Sequence, residues 1–588
     1  MTTTAATTDT ATEHSARLRA PRGHTPRVRV FVDRCAGCQE CVVRCPTGAL
    51  SMDARRWVAV AEDAACVGCR QCVRTCPFSA IEVDGPMLVD SRVGLEIRHP
   101  ALLEGDTSEI RHGIGSWSVA LAEAARCLAC PDPTCVRGCP AHNDIPSFIG
   151  AIRDRNLAGA HAILRRTSVL PDVCARVCAQ SAQCEGACSW SLAGGEPVAI
   201  GALERFVCDQ VPVPPPMPAP AGELSVAVVG SGPAGIGAAW ELVEAGAAVT
   251  VFERDNEPGG LLGWGIPDFS LPDAVARRPW EQLEAAGVDL HCGTGVSVAQ
   301  LDKLLEAHDA VVLANGASSA LRLPVPGADL DGVIDATSFL KGAKAVFDGT
   351  SLAELLPELA VSAPATPRVL VLGGGNTAMD VARSARRLGA AATCIEWLDR
   401  RFALVRPDEL AEAEAEGVRV RFSATVLRLV GDDHVEGAVL ARTRQRSADR
   451  LPKVLRGVSV ELAADLVVMA LGYRADPAFA PALPGAPVRR RAQGLPDRRW
   501  QASGVLAAPG SAFAQHLPVG QLALGREVGL SAAAVPFRDR LYAAGDALVG
   551  PSTVVEAMAQ GRRAARAVLQ GASFMSTEPA AIGSAAPG

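Results

Sequence analysis

The sequence predicts an α/β chain with α+β parts. A small cysteine-bearing domain comes first, an α-helical cysteine-bearing domain second, and two Rossmann-type dinucleotide-binding domains last. Three observations carry that prediction. Sixteen of the 19 cysteines fall between Cys35 and Cys188, in two blocks. The first block is a tandem of tight quartets, each closed by proline. Beyond the cysteines, two strands run into glycine-rich loops and then helical stretches, at 225–235 and 368–378.

Length and charge bound the rest. A chain of 588 residues has room for three or four domains, each with its own core. A net charge of −7 offers no basic surface for nucleic acid. No apolar run reaches the roughly 18 residues of a membrane helix. Residues 1–26 are Thr- and Ala-rich without the apolar centre of a signal peptide, so they are expected to be a disordered tail on a cytoplasmic protein. In that compartment clustered cysteines favour metal sites over disulfides. The sequence leaves the oligomeric state open.

The first block occupies a domain expected at 27–90. It reads Cys35-x2-Cys38-x2-Cys41-x3-Cys45-Pro46 and repeats as Cys66-x2-Cys69-x2-Cys72-x3-Cys76-Pro77. This is the spacing of a two-cluster bacterial ferredoxin, in which three cysteines wrap one [4Fe–4S] cluster and the fourth crosses to the other. Cys35, Cys38, Cys41 and Cys76 are therefore expected to hold one cluster, and Cys66, Cys69, Cys72 and Cys45 the second. The alternative, a pair of structural zinc sites, usually brings separated cysteine pairs instead of a tight run of four.

The second block lies in a domain expected at 91–210. It runs Cys127-x2-Cys130-x4-Cys135-x3-Cys139-Pro140, then Cys174-x3-Cys178-x5-Cys184-x3-Cys188. Between the two halves, 144–170 reads as helix, with Asp144 as N-cap and apolar spacing through Ile145, Phe148, Ile149 and Ile152. The runs "RCLACPDPTCVRGCPAHNDIPSFI", "CARVCAQSAQCEGAC" and "EPVAIGALERF" resemble the N-terminal domain of the glutamate synthase small subunit, a domain shared by dihydropyrimidine dehydrogenase. The resemblance implies two more interleaved clusters. Cys127, Cys130, Cys135 and Cys188 would hold one, while Cys139, Cys178 and Cys184 would give three ligands to the other. Its fourth ligand would be Glu204, where dihydropyrimidine dehydrogenase has glutamine; Cys174 competes on softness, since thiolate suits iron–sulfur clusters better than carboxylate.

After a Pro-rich linker at 211–223, a domain expected at 224–345 opens on an apolar strand and Gly230-Ser231-Gly232-Pro233-Ala234-Gly235. Glu253 closes the next strand, where an acid would bind ribose hydroxyls. Two segments, "EPGGLLGWGIP" at 257–267 and "LYAAGDALVGPSTVVEAMAQGRRAA" at 541–565, resemble the two-dinucleotide flavoproteins. That resemblance implies FAD at this loop, with Gly260 and Leu261 lining it and Asp546 reaching the ribityl chain. Thr553 and Val554 would then begin a helix aimed at the flavin. The family usually carries a basic residue where this chain has Ser270.

The second unit, expected at 346–479, carries Gly373-Gly374-Gly375-Asn376-Thr377, the family's nicotinamide loop. Relatives that use NADPH end the following strand in Tyr-Arg-Arg. This chain reads Ile395-Glu396-Trp397-Leu398-Asp399-Arg400-Arg401. Glu396 lies 23 residues after Gly373, as Glu253 lies 23 after Gly230. A carboxylate there pairs with ribose hydroxyls and repels a 2′-phosphate, which argues for NADH; against it, Arg400 and Arg401 stand only a few residues further along. The FAD domain is expected to resume over 480–572, before a tail at 573–588. The resemblance is patchy from 480 to 540.

The resulting expectation is an FAD-dependent NAD(P)H oxidoreductase with four [4Fe–4S] clusters. It would pass electrons to or from a redox partner protein or a large oxidoreductase subunit. Other readings are a true glutamate synthase small subunit, a subunit of a bifurcating NAD(P)H:ferredoxin oxidoreductase, and a non-catalytic electron-transfer module. No Cys-x-x-Cys flanks either nucleotide loop, so a disulfide reductase is not expected. Hydride transfer to flavin asks for positioning more than for acid–base groups, and no catalytic dyad is assigned.

Overall fold

The computed structural model describes residues 25–88, 104–357, 366–447, 450–482 and 540–575. The expected tails and the 480–540 segment lie almost wholly outside the described residues. The chain forms two compact units. The first holds residues 25–88, Gly113–Thr167 and Gln180–Pro212; the second holds 104–112, Ser168–Ala179 and the described residues from Val213 onward.

In the first unit, β1 (Arg27–Val30) pairs antiparallel with β4 (Ile81–Asp84), joining the two ends of the small domain. β2 (Leu50–Met52) pairs with β3 (Ala59–Ala61). The tandem cysteine spacing is repeated in the backbone. Gly37 and Gly68 both have positive φ, and left-handed Gln39 (φ 67°) and Arg70 (φ 54°) lead into the short helices Glu40–Val43 and Gln71–Thr75. Each quartet thus wraps around its own helical turn.

The helical part of this unit buries Ile145, Phe148, Ile149 and Ile152 against Leu164, Leu203 and Phe206. Asp144 caps as expected, its carboxylate accepting from the Ser147 N–H at 3.4 Å. The single helix expected over 144–170 is instead two, Ile145–Arg153 and Leu157–Arg165. Arg155 turns left-handed (φ 57°), and the Asn156 side chain accepts from the Gly159 N–H at 2.8 Å, capping a new helix.

The second unit carries two parallel sheets. The first has the order β19-β8-β5-β6-β7, with β5 at Ser225–Val229, β6 at Ala248–Phe252, β7 at Asp289–His291, β8 at Ala310–Leu313 and β19 at Leu541–Ala543. An antiparallel ribbon of β9 (Ser319–Ala320) and β18 (Tyr473–Arg474) joins it to the second sheet. That sheet is ordered β10-β17-β11-β12-β13, from Val333–Asp335, Leu466–Met469, Arg368–Leu372, Ala391–Ile395 and Arg419–Arg421. A three-stranded antiparallel layer, β14 (Ala424–Val430), β15 (Gly437–Arg444) and β16 (Lys453–Ala463), packs beside it.

Two expected boundaries shift. β10 pairs with β17, so the second nucleotide unit takes in residues from 333 instead of starting at 346. Segments 104–112 and Ser168–Ala179, expected within the helical domain, group with the second unit. Polar contacts fix them there. The Ile110 N–H donates to the Phe269 carbonyl at 3.0 Å, and Arg278 pairs with buried Asp172 at 2.9 Å.

The strongest tie is a buried ion network. Arg111 meets Glu412 at 2.7 Å, Arg383 meets Glu412 at 3.1 Å and Glu416 at 2.8 Å, and Arg387 meets Glu416 at 2.8 Å. Arg383 and Glu412 are each 1% exposed. Without Glu412, Arg383 keeps Glu416 and Arg111 keeps Asp408 at 3.1 Å, so the loss falls below the roughly 3–5 kcal/mol of a stranded buried charge. Glu412→Ala is expected to lower the thermal midpoint and to loosen 104–112 to proteolysis. An unchanged midpoint and digestion pattern would contradict that role.

Candidate redox cofactor sites

The first nucleotide loop leaves β5 through Gly230-Ser231-Gly232 and enters the helix Pro233–Glu244. Gly230 has φ 103°, and a Cβ there would lie 2.5 Å from the Ala314 carbonyl oxygen, so only glycine makes this turn. A Cβ on Gly232 would meet nothing within 4 Å. The helix N-terminus thus opens on a free cradle of the kind that takes a pyrophosphate, with Ala234 and Gly235 packed beneath. Glu253 follows β6 and is buried; its Oε2 accepts from the Ser231 N–H at 2.9 Å and its Oε1 from the Asp255 N–H at 2.9 Å.

Distant segments close over this loop. A Cβ on Gly260, which precedes the short helix Leu261–Trp264, would lie 3.1 Å from the Gly232 Cα. Asp546 accepts from the Ser552 N–H at 3.0 Å and its hydroxyl at 2.6 Å, and burial pushes its carboxyl up to about 6. The Thr553 carbonyl accepts from the Ala557 N–H at 2.9 Å, starting the helix Val554–Met575. Three buried atoms in these segments lack a hydrogen-bond partner: Trp264 Nε1, Asn315 Oδ1 and Gln560 Nε2. The open cradle and these unpaired groups fit a flavin dinucleotide. Sequence reasoning missed Asn315 and Gln560. Gln560 lies within a segment that resembled the flavoproteins, whereas nothing in the sequence marked Asn315.

The second loop repeats the first. Gly373 (φ 123°) leaves β11, and Gly375 precedes the helix Asn376–Arg387, with open space where its Cβ would point. Asn376 Oδ1 accepts from the Arg406 N–H at 3.0 Å, and Thr377 follows in the first turn. Glu396 sits as Glu253 does. It accepts from the Leu398 N–H at 2.8 Å and from the Gly374 N–H, the residue after the first glycine. Burial pushes its carboxyl up to about 7, against the pull of those N–H groups. Arg400 is engaged by Glu414 at 2.6 and 2.8 Å, and Arg401 by Asp399 at 2.9 and 3.1 Å; both are largely exposed.

The cysteines gather as crossed sets. Cys35, Cys38, Cys41 and Cys76 line one pocket, together with Met52, Phe78 and Ile81. Cys45 lies among Cys66, Cys69 and Cys72, close enough to raise the ionisation cost of each thiol beyond what burial imposes. In the helical part Cys127, Cys130, Cys135 and Cys188 are mutual neighbours in the same electrostatic sense. Burial, with Glu185, Cys139 and Glu204 nearby, pushes the Cys184 thiol well up. Crowded buried thiols ask for a compensating positive charge, which iron supplies to thiolates.

Cys178 and Cys174 lie in the segment that groups with the second unit. Cys178 ends the helix Pro171–Val177, and Cys174, within that helix, has its sulfur 3.8 Å from the Ser168 hydroxyl. Glu204 is buried in the helix Ile200–Gln210, not on the exposed helical face of a surface salt bridge.

Known proteins share these parts. Residues 25–84 match the family described as 4Fe-4S dicluster domain, and 105–213 match dihydropyrimidine dehydrogenase domain II, 4Fe-4S cluster. Residues 224–507 match the pyridine nucleotide-disulphide oxidoreductase family. The glutamate synthase [NADPH] small chain of Halomonas elongata is 37% identical over 61% of this chain and 77% of its own. That of Azospirillum brasilense is 33% identical over 78% of this chain and 90% of its own. A protein of Escherichia coli, UacF, is 31% identical over 91% of this chain and 80% of its own.

Proposed function

This chain belongs to the glutamate synthase small-chain family, and on that premise we propose that it moves electrons between a nicotinamide nucleotide and a separate redox protein through FAD and four [4Fe–4S] clusters. The chain is an FAD- and iron–sulfur-dependent NAD(P)H oxidoreductase. When bound, FAD would supply the exchange between a hydride pair and single electrons, and the iron–sulfur clusters would supply one-electron carriage. The observation that supports the assignment most is the joining of two open glycine-loop cradles and crossed cysteine sets in one chain.

The residues divide the work. Gly230, Gly232 and the helix behind them hold the flavin's pyrophosphate, and Glu253 its ribose. Asp546 would hold the ribityl chain, and the helix that starts at Val554 would supply a positive end that favours negative charge on the flavin. Gly373, Gly375, Asn376 and Thr377 hold the nicotinamide nucleotide. By the family resemblance, Cys139, Cys178 and Cys184 would ligate one cluster, with Glu204 as fourth ligand in preference to Cys174.

NADH is the preferred nucleotide in this reading. Its support is the shared geometry of Glu396 and Glu253: each accepts from the N–H after its loop's first glycine and from an N–H two residues beyond itself. The partner is a large oxidoreductase subunit or another redox chain, as the names of the glutamate synthase relatives suggest. No helix among the described residues is long and apolar enough to cross a membrane.

Anaerobic titration of the holoprotein with each nucleotide tests the reading, with flavin absorbance and cluster EPR followed together. Bleaching of the flavin with growth of cluster signals is expected, faster with NADH. Reduction of the clusters by dithionite but of nothing by either nucleotide would sink it.

A further inference from the structure

The order of the cofactors within the first unit is legible from its packing, and it rests on the iron–sulfur reading above. Val67 and Cys69, from the second quartet, share one apolar cluster with Leu128, Cys188 and Trp190 of the helical part. Polar contacts span the same junction. Gln71 is 2% exposed, and its Nε2 donates to the Asp132 carbonyl at 3.1 Å. The Ser189 hydroxyl lies 3.5 Å from Gln71 Oε1 and 3.4 Å from Cys130 Sγ. Arg44, beside Cys45, pairs with Asp132 at 2.9 Å. Arg74 donates to the Cys69 carbonyl at 3.0 Å, and its guanidinium is close enough to sense Cys69, Cys72, Cys130 and Cys188.

The first quartet is placed differently. Cys38 is exposed, and the pocket of Cys35, Cys38, Cys41 and Cys76 is walled by Phe78, which is 47% exposed. Trp57, 57% exposed in the turn between β2 and β3, lies against Gly37 of this set's loop. No contact of the kind made by Gln71 or Arg44 joins this set to the helical part among the described residues. The pseudo-twofold symmetry of the cysteine spacing is therefore broken by what each half touches.

We infer that the Cys45, Cys66, Cys69 and Cys72 cluster is the one that exchanges electrons with the Cys127, Cys130, Cys135 and Cys188 cluster, across a junction where Ser189, Gln71 and Arg74 are positioning residues. The Cys35, Cys38, Cys41 and Cys76 cluster is the outward terminus that meets the partner protein. Each transfer moves one electron: one cluster is oxidised as its neighbour is reduced, and no bond forms or breaks. The electrons come from the nicotinamide nucleotide, or from the partner when flow reverses. Hydrogen bonds to sulfur and local charge set cluster potentials, so one guanidinium between two clusters raises both, and the Ser189 hydroxyl raises one.

The test is an EPR-monitored redox titration of the full-length holoprotein with dithionite, which needs no nucleotide and so stands or falls apart from the NAD(P)H reading. Arg74→Gln is expected to move the midpoints of two signals to lower potential together, and Arg74→Lys to restore them. Ser189→Ala is expected to lower one of those same two signals and leave the other, and it keeps the test alive if Arg74→Gln fails to fold. Movement of a single signal by Arg74→Gln, or of none, would overturn the shared junction. So would a Ser189→Ala shift in a signal that Arg74→Gln leaves alone.

Discussion

Glu396→Gln is expected to raise kcat/KM for NADPH by about tenfold or more and to lower that for NADH. Tenfold corresponds to about 1.4 kcal/mol, a modest share of the repulsion between a buried carboxylate and a phosphate dianion a few ångströms away. Arg400 and Arg401 do not cancel that repulsion, because Glu414 and Asp399 already engage them.

Acidity sharpens the expectation. Burial holds the Glu396 carboxyl at about 7, so it is mainly neutral below that pH and charged above it. The charged form accepts hydrogen bonds from ribose hydroxyls and repels a 2′-phosphate. The NADH-to-NADPH ratio of kcat/KM should therefore climb between about pH 6 and pH 8 and flatten in Glu396→Gln. Stability runs the other way. The folded state holds a proton that the unfolded chain has released, so this group's contribution falls as pH rises from the ordinary glutamate range to about 7. Steady-state kinetics with both nucleotides across that range decides the matter. A ratio that does not move with pH, or that moves equally in the variant, would mean that Glu396 does not face the ribose.

The second large effect concerns flavin retention. The helices Pro233–Glu244 and Val554–Met575 meet backbone to backbone. A Cβ on Gly561 would fall 1.9 Å from the Ala234 carbonyl oxygen, and one on Gly237 would fall 2.4 Å from that of Met558. No rotamer relieves a clash with backbone, so Gly561→Val must push the helices apart. That separates the Thr553–Val554 helix start from the Gly232 cradle, two parts of one flavin site. Overpacking alone costs about 1–3 kcal/mol. The larger consequence is expected in the purified protein: at least about a tenfold fall in bound flavin, with the clusters of the first unit retained. Gly150→Ala is the control, since its helix position has open space around it. Flavin at the parent stoichiometry in Gly561→Val would show that the helix crossing does not hold the site together.

Much of this molecule is written locally. Tandem quartets closed by proline fix which cysteines sit in tight loops, and the backbone repeats the spacing with Gly37 and Gly68 at positive φ. A strand, a glycine loop and an acid 23 residues on are enough to mark each nucleotide unit, because the turn that only glycine makes and the acid at the next strand's end are both short-range features. The family resemblance is what assigns flavin to the first loop in the reading proposed above. Capping at Asp144 was equally legible. The break at Arg155 was not, since a left-handed arginine followed by asparagine competes with a helical pattern that continues on both sides.

What the sequence could not decide depends on surfaces meeting. Cys174 and Cys178 stand a few residues from the helical domain's other cysteines, yet their segment groups with the flavoprotein unit through contacts such as Asp172–Arg278. The first strand of the second sheet lies before the expected boundary because pairing with β17 places it there, and partners distant in sequence leave no periodic mark. The Glu396 carboxyl is held above the ordinary glutamate range only because the fold buries it. The two ferredoxin cysteine sets are equivalent in spacing and become unequal through contacts such as those of Gln71, Arg44 and Ser189, which place Cys45, Cys66, Cys69 and Cys72 against the helical part. Spacing pointed to the kind of cofactor, because the turns that present its cysteines are local; tertiary contact sets which cysteines lie side by side, because neighbourhood is a property of packed surfaces.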